Sequence, residues 1–84
     1  MSADEHEYVA AHVHEALARD PRVNEPELQV SVVKDRVLIT GVVPTEERRA
    51  AVTDVVREEC PGLEVENRTT VARLPDAGDT ERLR

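Results

Sequence analysis

Apolar residues recur along this chain with a helical period in two segments and with a strand period in three others. In residues 4–19 they fall at spacings of four, three and one, which places them on one face of an amphipathic helix: Val9, Val13, Ala16 and Leu17. Asp4 or Ser2 is the expected N-cap, because each precedes a glutamate by three residues. The helix is expected to end near Asp20, since Pro21 disfavours helical backbone at the residue before it.

The middle of the chain alternates between apolar and polar positions. Two such runs cover residues 28–32 and 37–43, which is the pattern of strands with one covered face. Lys34 and Asp35 lie between the runs, where a tight turn would join them. The pattern therefore predicts a β-hairpin.

A second helix and a third strand follow. Thr45 is the expected N-cap of a helix that continues to about Glu59, with acidic residues in its first turn where the helix dipole favours them. Pro61 and Gly62 break this helix, and residues 63–71 alternate as a third strand.

The predicted order is helix, strand, strand, helix, strand, which indicates an α+β fold: a two-layer αββαβ sandwich with two helices packed on one face of a three-stranded sheet. The pairing of the third strand stays open. We expect residues 1–74 to form this domain and residues 75–84, which lack periodicity, to be a disordered C-terminal tail. The expected core is aliphatic: Val9, Val13, Ala16, Leu17, Leu28, Val30, Val32, Val37, Ile39, Val43, Val52, Val55, Val56, Leu63, Val65 and Val71.

Composition narrows the range of partners. The net charge of −7 disfavours contact with phosphate backbones, and Tyr8 is the only aromatic residue on which a base could stack. Nucleic acid is therefore not an expected partner. Cys60 is the single cysteine, so no disulfide can form within the chain, and no stretch is apolar enough to span a membrane. The N-terminal residues lack the features of a signal peptide, and we expect a cytoplasmic protein.

Gly41 interrupts the apolar face of the second predicted strand. Val37, Ile39 and Val43 share this face, which the helices would cover. A glycine in such a position usually allows another part of the chain to approach closely, or it marks a β-bulge. We interpret Gly41 as a structural glycine that leaves room for the backbone of a helix.

Four segments between about Tyr8 and Ala72 carry a family resemblance: "EALARDPRV", "VLITGVV" with its central glycine, "PTEERRAAV" and "PGLEVENRTTV". In order and spacing they resemble the BON domain, a bacterial module named after osmotically inducible and nodulation proteins. The resemblance implies an αββαβ fold. Two departures affect the third strand: the segment before "VENR" is shorter by one residue than is usual, and Thr69 replaces an aliphatic residue.

The resemblance also implies a binding function. Members of the family are non-enzymatic modules that attach to phospholipid surfaces, bind small ligands or ions, or mediate protein contacts. We expect no enzymatic activity and no cofactor, because no nucleophile with a base, carboxylate pair or phosphate-binding loop has a suitable spacing.

Three groups of polar residues are candidates for binding or reactive sites. Thr45, Arg48 and Arg49 form a minor candidate for an anion site at a helix N-terminus, although acidic residues already occupy that end. The three histidines do not have the spacing of metal ligands on one helix face: His6, His12 and His14. We therefore predict no metal site, and Cys60 is expected to be a buried, unreactive thiol.

The uncovered face of the sheet is the main candidate surface. Leu38, Thr40 and Val42 alternate out of phase with the core positions, and Val33 is a further candidate. We hypothesise that this face contacts a protein partner or a second copy of the chain. Peripheral attachment to phospholipid is one alternative, although the negative charge and the lack of aromatic side chains disfavour it. Binding of a small cation by acidic groups is another.

Overall fold

The structure, a computed structural model, describes residues 3–72, and of Ala3 and Asp4 it describes only the backbone. It contains the predicted elements in the predicted order, so the α+β two-layer fold is confirmed. The elements are α1 (Ala3–Arg19), β1 (Gln29–Val33), β2 (Arg36–Val43), α2 (Glu46–Glu59) and β3 (Glu64–Val71). The predicted tail, residues 75–84, lies outside the described residues.

The three strands form one mixed sheet with β2 in the middle. β1 and β2 are antiparallel, and the two-residue turn at Lys34 and Asp35 joins Val33 to its partner Arg36. β3 lies on the other side of β2 and runs parallel to it, with Val37 beside Val65 and Val43 beside Val71. This pairing answers the question that the sequence left open, because β3 contacts β2 and not β1.

The helix termini agree with the sequence at one helix and differ at the other. Thr45 has an extended backbone, and its hydroxyl accepts a hydrogen bond from the amide of Arg48 at 3.1 Å, so the predicted N-cap of α2 is confirmed. In α1 the alternative N-cap Asp4 is wrong, because this residue is already helical. The other alternative, Ser2, lies outside the described residues.

The core lies between the helices and the sheet and is aliphatic, as predicted. The predicted core residues that are buried come from both helices, from β2 and, with Leu28, from the loop before β1; the remaining predicted core residues are partly buried and pack against them. Two further buried side chains complete the core. Cys60, at the end of α2, is 8% exposed, and Val23 is fully buried.

Val23 reaches the core from a segment that the sequence pattern showed only as a loop. The carbonyl of Asp20 accepts hydrogen bonds from the amides of both Val23 and Asn24, which forms a compact turn after α1. Asn24 has a positive φ of 50°, a conformation that asparagine tolerates better than most residues. The turn directs Val23 inward beneath the end of α1.

Gly41 is a structural glycine for a reason that differs from our expectation. Its φ is +135°, a conformation that residues with a side chain rarely adopt. A Cβ atom at this position would lie 2.7 Å from Cδ2 and 3.4 Å from Cα of Leu28, so the residue that approaches closely precedes β1 and does not belong to a helix. No bulge is present toward β3, because the register continues unbroken from Thr40 to Val42.

An ion-pair cluster joins the turn after α1 to the end of α2. The guanidinium group of Arg22 donates to both carboxylate oxygens of Asp20 at 2.8 and 3.0 Å and to both of Glu58 at 2.9 Å. Hydrogen bonds from Arg22 lower the pKa of Asp20 from 3.8 to about 2 and also lower the pKa of Glu58. The side chains of Arg22 and Glu58 are half-exposed, so solvent screens the cluster.

We expect Gly41→Ala to destabilise the domain by about 2–4 kcal/mol, the combined cost of an unfavourable φ and of overpacking against Leu28. Chemical denaturation would measure the change in the free energy of unfolding. Gly62→Ala is the matched control, because a Cβ atom at Gly62 meets no atom within 4 Å, and it should change stability by less than about 1 kcal/mol. Equal effects of the two substitutions would contradict this interpretation of Gly41.

The Arg22 cluster predicts a pH dependence of stability. Because the pKa of Asp20 is lowered on folding, its contribution is fully present above 3.8 and is lost as the pH falls toward about 2. The stability difference between wild type and Arg22→Gln should therefore shrink across this range. Arg19→Gln is the control, since Arg19 forms only an exposed pair with Glu15. A stability difference that stays constant from neutral pH to pH 2 would contradict the assignment.

Candidate interaction surface

The face of the sheet opposite the helices carries the residues that the sequence singled out. Leu38 lies between Ser31 of β1 and Glu66 of β3, and Thr40 lies between Gln29 and Arg68. Val42 follows beside Thr70. The alternation along β2 turns these side chains away from the helices because Val37, Ile39 and Val43 are buried on the other side. The three predicted contact residues therefore share one open face.

Aliphatic side chains on the open face remain accessible. Val33 and Val42 are each 58% exposed, and Leu38 is half-buried. Val33 and Leu38 line a shallow depression of about 450 Å³ at the hairpin end of the sheet. Its other lining residues are polar and come from the turn and from β2 and β3: Lys34, Asp35, Arg36, Glu66 and Arg68. The depression combines an apolar floor with a charged rim.

The charged rim is held by ion pairs that cross from β2 to β3. Arg36 donates to Glu66 at 2.9 Å and lies 3.4 Å from Glu64, and Arg68 also pairs with Glu66. Exposed pairs of this kind contribute little to stability, about 0–1 kcal/mol each, but they order the side chains. Together with Glu64, which lies beside Arg36, the rim residues give the open face and its turn three positive and three negative groups, Lys34, Arg36 and Arg68 against Asp35, Glu64 and Glu66. This face is therefore electrically balanced in a chain of net charge −7.

The outer edge of β3 carries a polar network around Thr69. The amide and the hydroxyl of Thr69 both donate to Oδ1 of Asn67, and its carbonyl accepts from Nε of Arg49 at 2.8 Å. The amide group of Asn67 in turn donates to the carbonyl of Arg49 and to the hydroxyl of Thr53. Side chains thus satisfy backbone groups that an exposed strand would offer to another chain.

Thr69, which departs from the family pattern, is 2% exposed. Burial of a hydroxyl without a partner would be costly, but the bond to Asn67 satisfies it. The threonine therefore fits its buried position as part of the network that joins β3 to α2.

The residues of the minor anion site point in different directions. The guanidinium group of Arg48 contacts the carbonyl of Val23 and the carboxylate of Glu25, both at 3.3 Å, whereas Arg49 contacts β3. The hydroxyl of Thr45 already accepts from the backbone. The geometry therefore brings no pair of guanidinium groups together at the N-terminus of α2.

The histidines of α1 make separate contacts. Nε2 of His12 lies 2.5 Å from a carboxylate oxygen of Glu59, and the ring stacks on that of Tyr8. Nε2 of His14 contacts the carbonyl of Pro26 at 2.8 Å, and Nε2 of His6 is buried without a hydrogen-bond partner. Within residues 3–72, no three His, Cys, Asp or Glu side chains converge as metal ligands would.

Cys60 occupies the position that the sequence predicted for it. It is a free cysteine and is buried, and burial raises the pKa of its thiol. A thiol with a raised pKa is largely protonated at neutral pH and is a poor nucleophile. The described part of the chain contains no helix that is long and apolar enough to cross a membrane.

The geometry defines a small αββαβ domain with one helix-covered and one open sheet face. The family model of the BON domain matches residues 6–73, which is most of the chain. The chain belongs to the BON domain family. BON is a binding family and not a catalytic one, and its members are generally thought to bind phospholipids or proteins. A comparison with the curated proteins finds no match.

The sequence indicated the apolar part of the open face but not its charged rim. Glu64, Glu66 and Arg68 alternate with the inward positions of the third predicted strand, so they could be assigned to the outer face. Their contact with Arg36 depends on the parallel pairing of β2 and β3, which the periodicity of a single strand does not contain. The network around Asn67 was also missed, because it depends on the packing of α2 against β3.

Proposed function

We propose that this BON domain is a cytoplasmic binding module that contacts a protein partner or a second copy of itself through the open face. The contact surface consists of Leu38, Thr40 and Val42, with Val33 at its margin. The lone, unpaired thiol of Cys60 suits a reducing compartment.

The observation that carries the proposal is the combination of exposed aliphatic side chains with balanced charge on this one face. Protein interfaces commonly have an apolar centre and a polar rim, and the open face has both. Two acidic surfaces repel each other, so a chain of net charge −7 is most easily approached where its local charge is zero. The depression beside Leu38 offers a place for an apolar side chain of the partner.

Phospholipid is the second candidate ligand, and it rests on the family. A membrane-surface domain usually presents basic residues and aromatic side chains, because these interact with anionic headgroups and the interfacial region. The open face instead has equal numbers of acidic and basic groups, and Tyr8, on α1, is the only aromatic residue of the chain. The described residues favour protein contact over lipid contact. A small cation has less support, because these residues contain no converging set of ligands.

A photo-reactive amino acid at Thr40 tests the proposed surface in the cells that produce the protein. We expect the photo-reactive residue to form adducts with one defined partner protein or with a second copy of the chain. Mass spectrometry would identify the crosslinked protein. Leu38→Glu or Val42→Glu should abolish these adducts, because each buries a charge in the apolar centre. Tyr8→Glu is the matched control, since Tyr8 is an exposed apolar residue on the helix side. Adducts that persist in both open-face variants would refute the proposal.

Co-sedimentation with liposomes separates protein contact from lipid contact. Neutral and anionic vesicles would be compared at low and at physiological salt. We expect no binding at physiological salt, because the net charge of −7 opposes anionic surfaces. Binding that persists there, and that Leu38→Glu removes, would assign the open face to lipid instead.

A further inference from the structure

The two edges of the sheet differ in how far side chains satisfy their backbone groups. β2 is central, so β1 and β3 each have one outer edge. The amide of Ala72 donates to the carbonyl of Val43, so the backbone groups of Val43 face β3. Hydrogen-bonding direction alternates along a strand, so the odd-numbered residues of β2 face β3 and the even-numbered residues face β1.

The same alternation identifies the outward groups of β1. The even-numbered residues Arg36, Leu38 and Thr40 pair with Val33, Ser31 and Gln29, and the backbone groups of those three β1 residues therefore face β2. Directly opposed residues of an antiparallel pair exchange both hydrogen bonds or neither. The amides and carbonyls of Val30 and Val32 consequently point away from the sheet.

Nothing in the described chain covers these outward groups. Among residues 3–72, no loop or side chain forms a hydrogen bond to the backbone of Val30 or Val32 on that side. On β3, by contrast, side chains occupy both backbone groups of Thr69. Unpaired groups in a row are a template for another strand. The side chains of Val30 and Val32 are also only partly buried, so an added strand would cover apolar surface.

The position of α1 limits which strands can pair with the outer edge of β1. α1 packs on β1 and has no comparable contact with β2, so it lies above this edge. A second copy paired through β1 about a twofold axis would place both α1 helices on the same side, separated by about the strand spacing of ~5 Å. A helix is ~10 Å wide, so two copies would collide. An extended segment without a helix layer meets no such obstacle.

We propose that the outer edge of β1 is a strand-addition site for an extended segment of a partner protein. Alternate side chains of that segment lie beside Val30 and Val32 beneath α1 and are aliphatic. Its flanking residues are basic, because the chain as a whole has a net charge of −7 and attracts positive segments. Backbone hydrogen bonds provide the affinity, and the alternate positions provide the selectivity. This site is separate from the open face.

The probe is a synthetic peptide with chemically blocked termini. Valine and threonine alternate along it, and a lysine stands at each end. Amide hydrogen exchange of the isotope-labelled protein would be followed by NMR with and without the peptide. We expect the amides of Val30 and Val32, which no residue of the described chain pairs, to exchange at least about tenfold more slowly in the complex. The same peptide with a central proline, which removes a donor and disfavours strand pairing, should give no protection.

Proline variants of the protein provide the matched comparison. Val32→Pro removes an amide that points outward from β1 and breaks no hydrogen bond to β2. Val65→Pro removes an amide that points outward from β3. Val32→Pro should weaken peptide binding at least about tenfold and Val65→Pro should not. Thermal unfolding would confirm that both variants are folded. If either variant fails to fold, the exchange measurement on the unaltered protein still tests the proposal. Protection at β3 or on the open face, or no protection at millimolar peptide, would overturn the proposal.

Discussion

The hydrogen bonds between Asn67, Thr69 and Arg49 join the β3 edge to α2 and distinguish it from the β1 edge. A three-stranded sheet has two edges, and only one of its faces is covered by the two helices. The network occupies both backbone groups of Thr69 on the β3 edge and joins this edge to α2, since Asn67 also bonds to Thr53 within that helix. Within the described chain, the outward groups of Val30 and Val32 on the β1 edge have no such partners, and the open face around Leu38 is not covered by a helix. The positions of both binding proposals follow from this division.

Charged residues are also distributed unevenly over the surface of the domain. The open face carries as many positive as negative groups, while the chain as a whole is at −7, so its excess acid lies elsewhere. Acidic groups on the other surfaces favour solubility and discourage nonspecific contact with other acidic molecules. The balanced face is therefore the region where a partner of either sign meets the least repulsion. Apolar contact with Val33 and Val42 can then decide which partner binds.

Local periodicity was sufficient to predict all five elements, because each of them buries one face. It also identified Thr45 as a helix cap, since capping involves neighbours in sequence. Features that join distant segments could not be predicted in this way. The approach of Leu28 to Gly41, the inward turn of Val23 and the pairing of β3 with β2 all depend on distances in the folded chain. The apolar part of the open face was predicted, and its ion pairs were not.

Amide hydrogen exchange of the protein alone tests the division of the surface most directly. The amides of Thr69 and Val32 both point outward from edge strands, but among residues 3–72 only that of Thr69 has a partner, Oδ1 of Asn67 at 3.0 Å. We expect the amide of Thr69 to exchange at least about tenfold more slowly than that of Val32, after correction for intrinsic rates. Equal rates at the two amides, or a protected Val32 in the protein alone, would contradict the account.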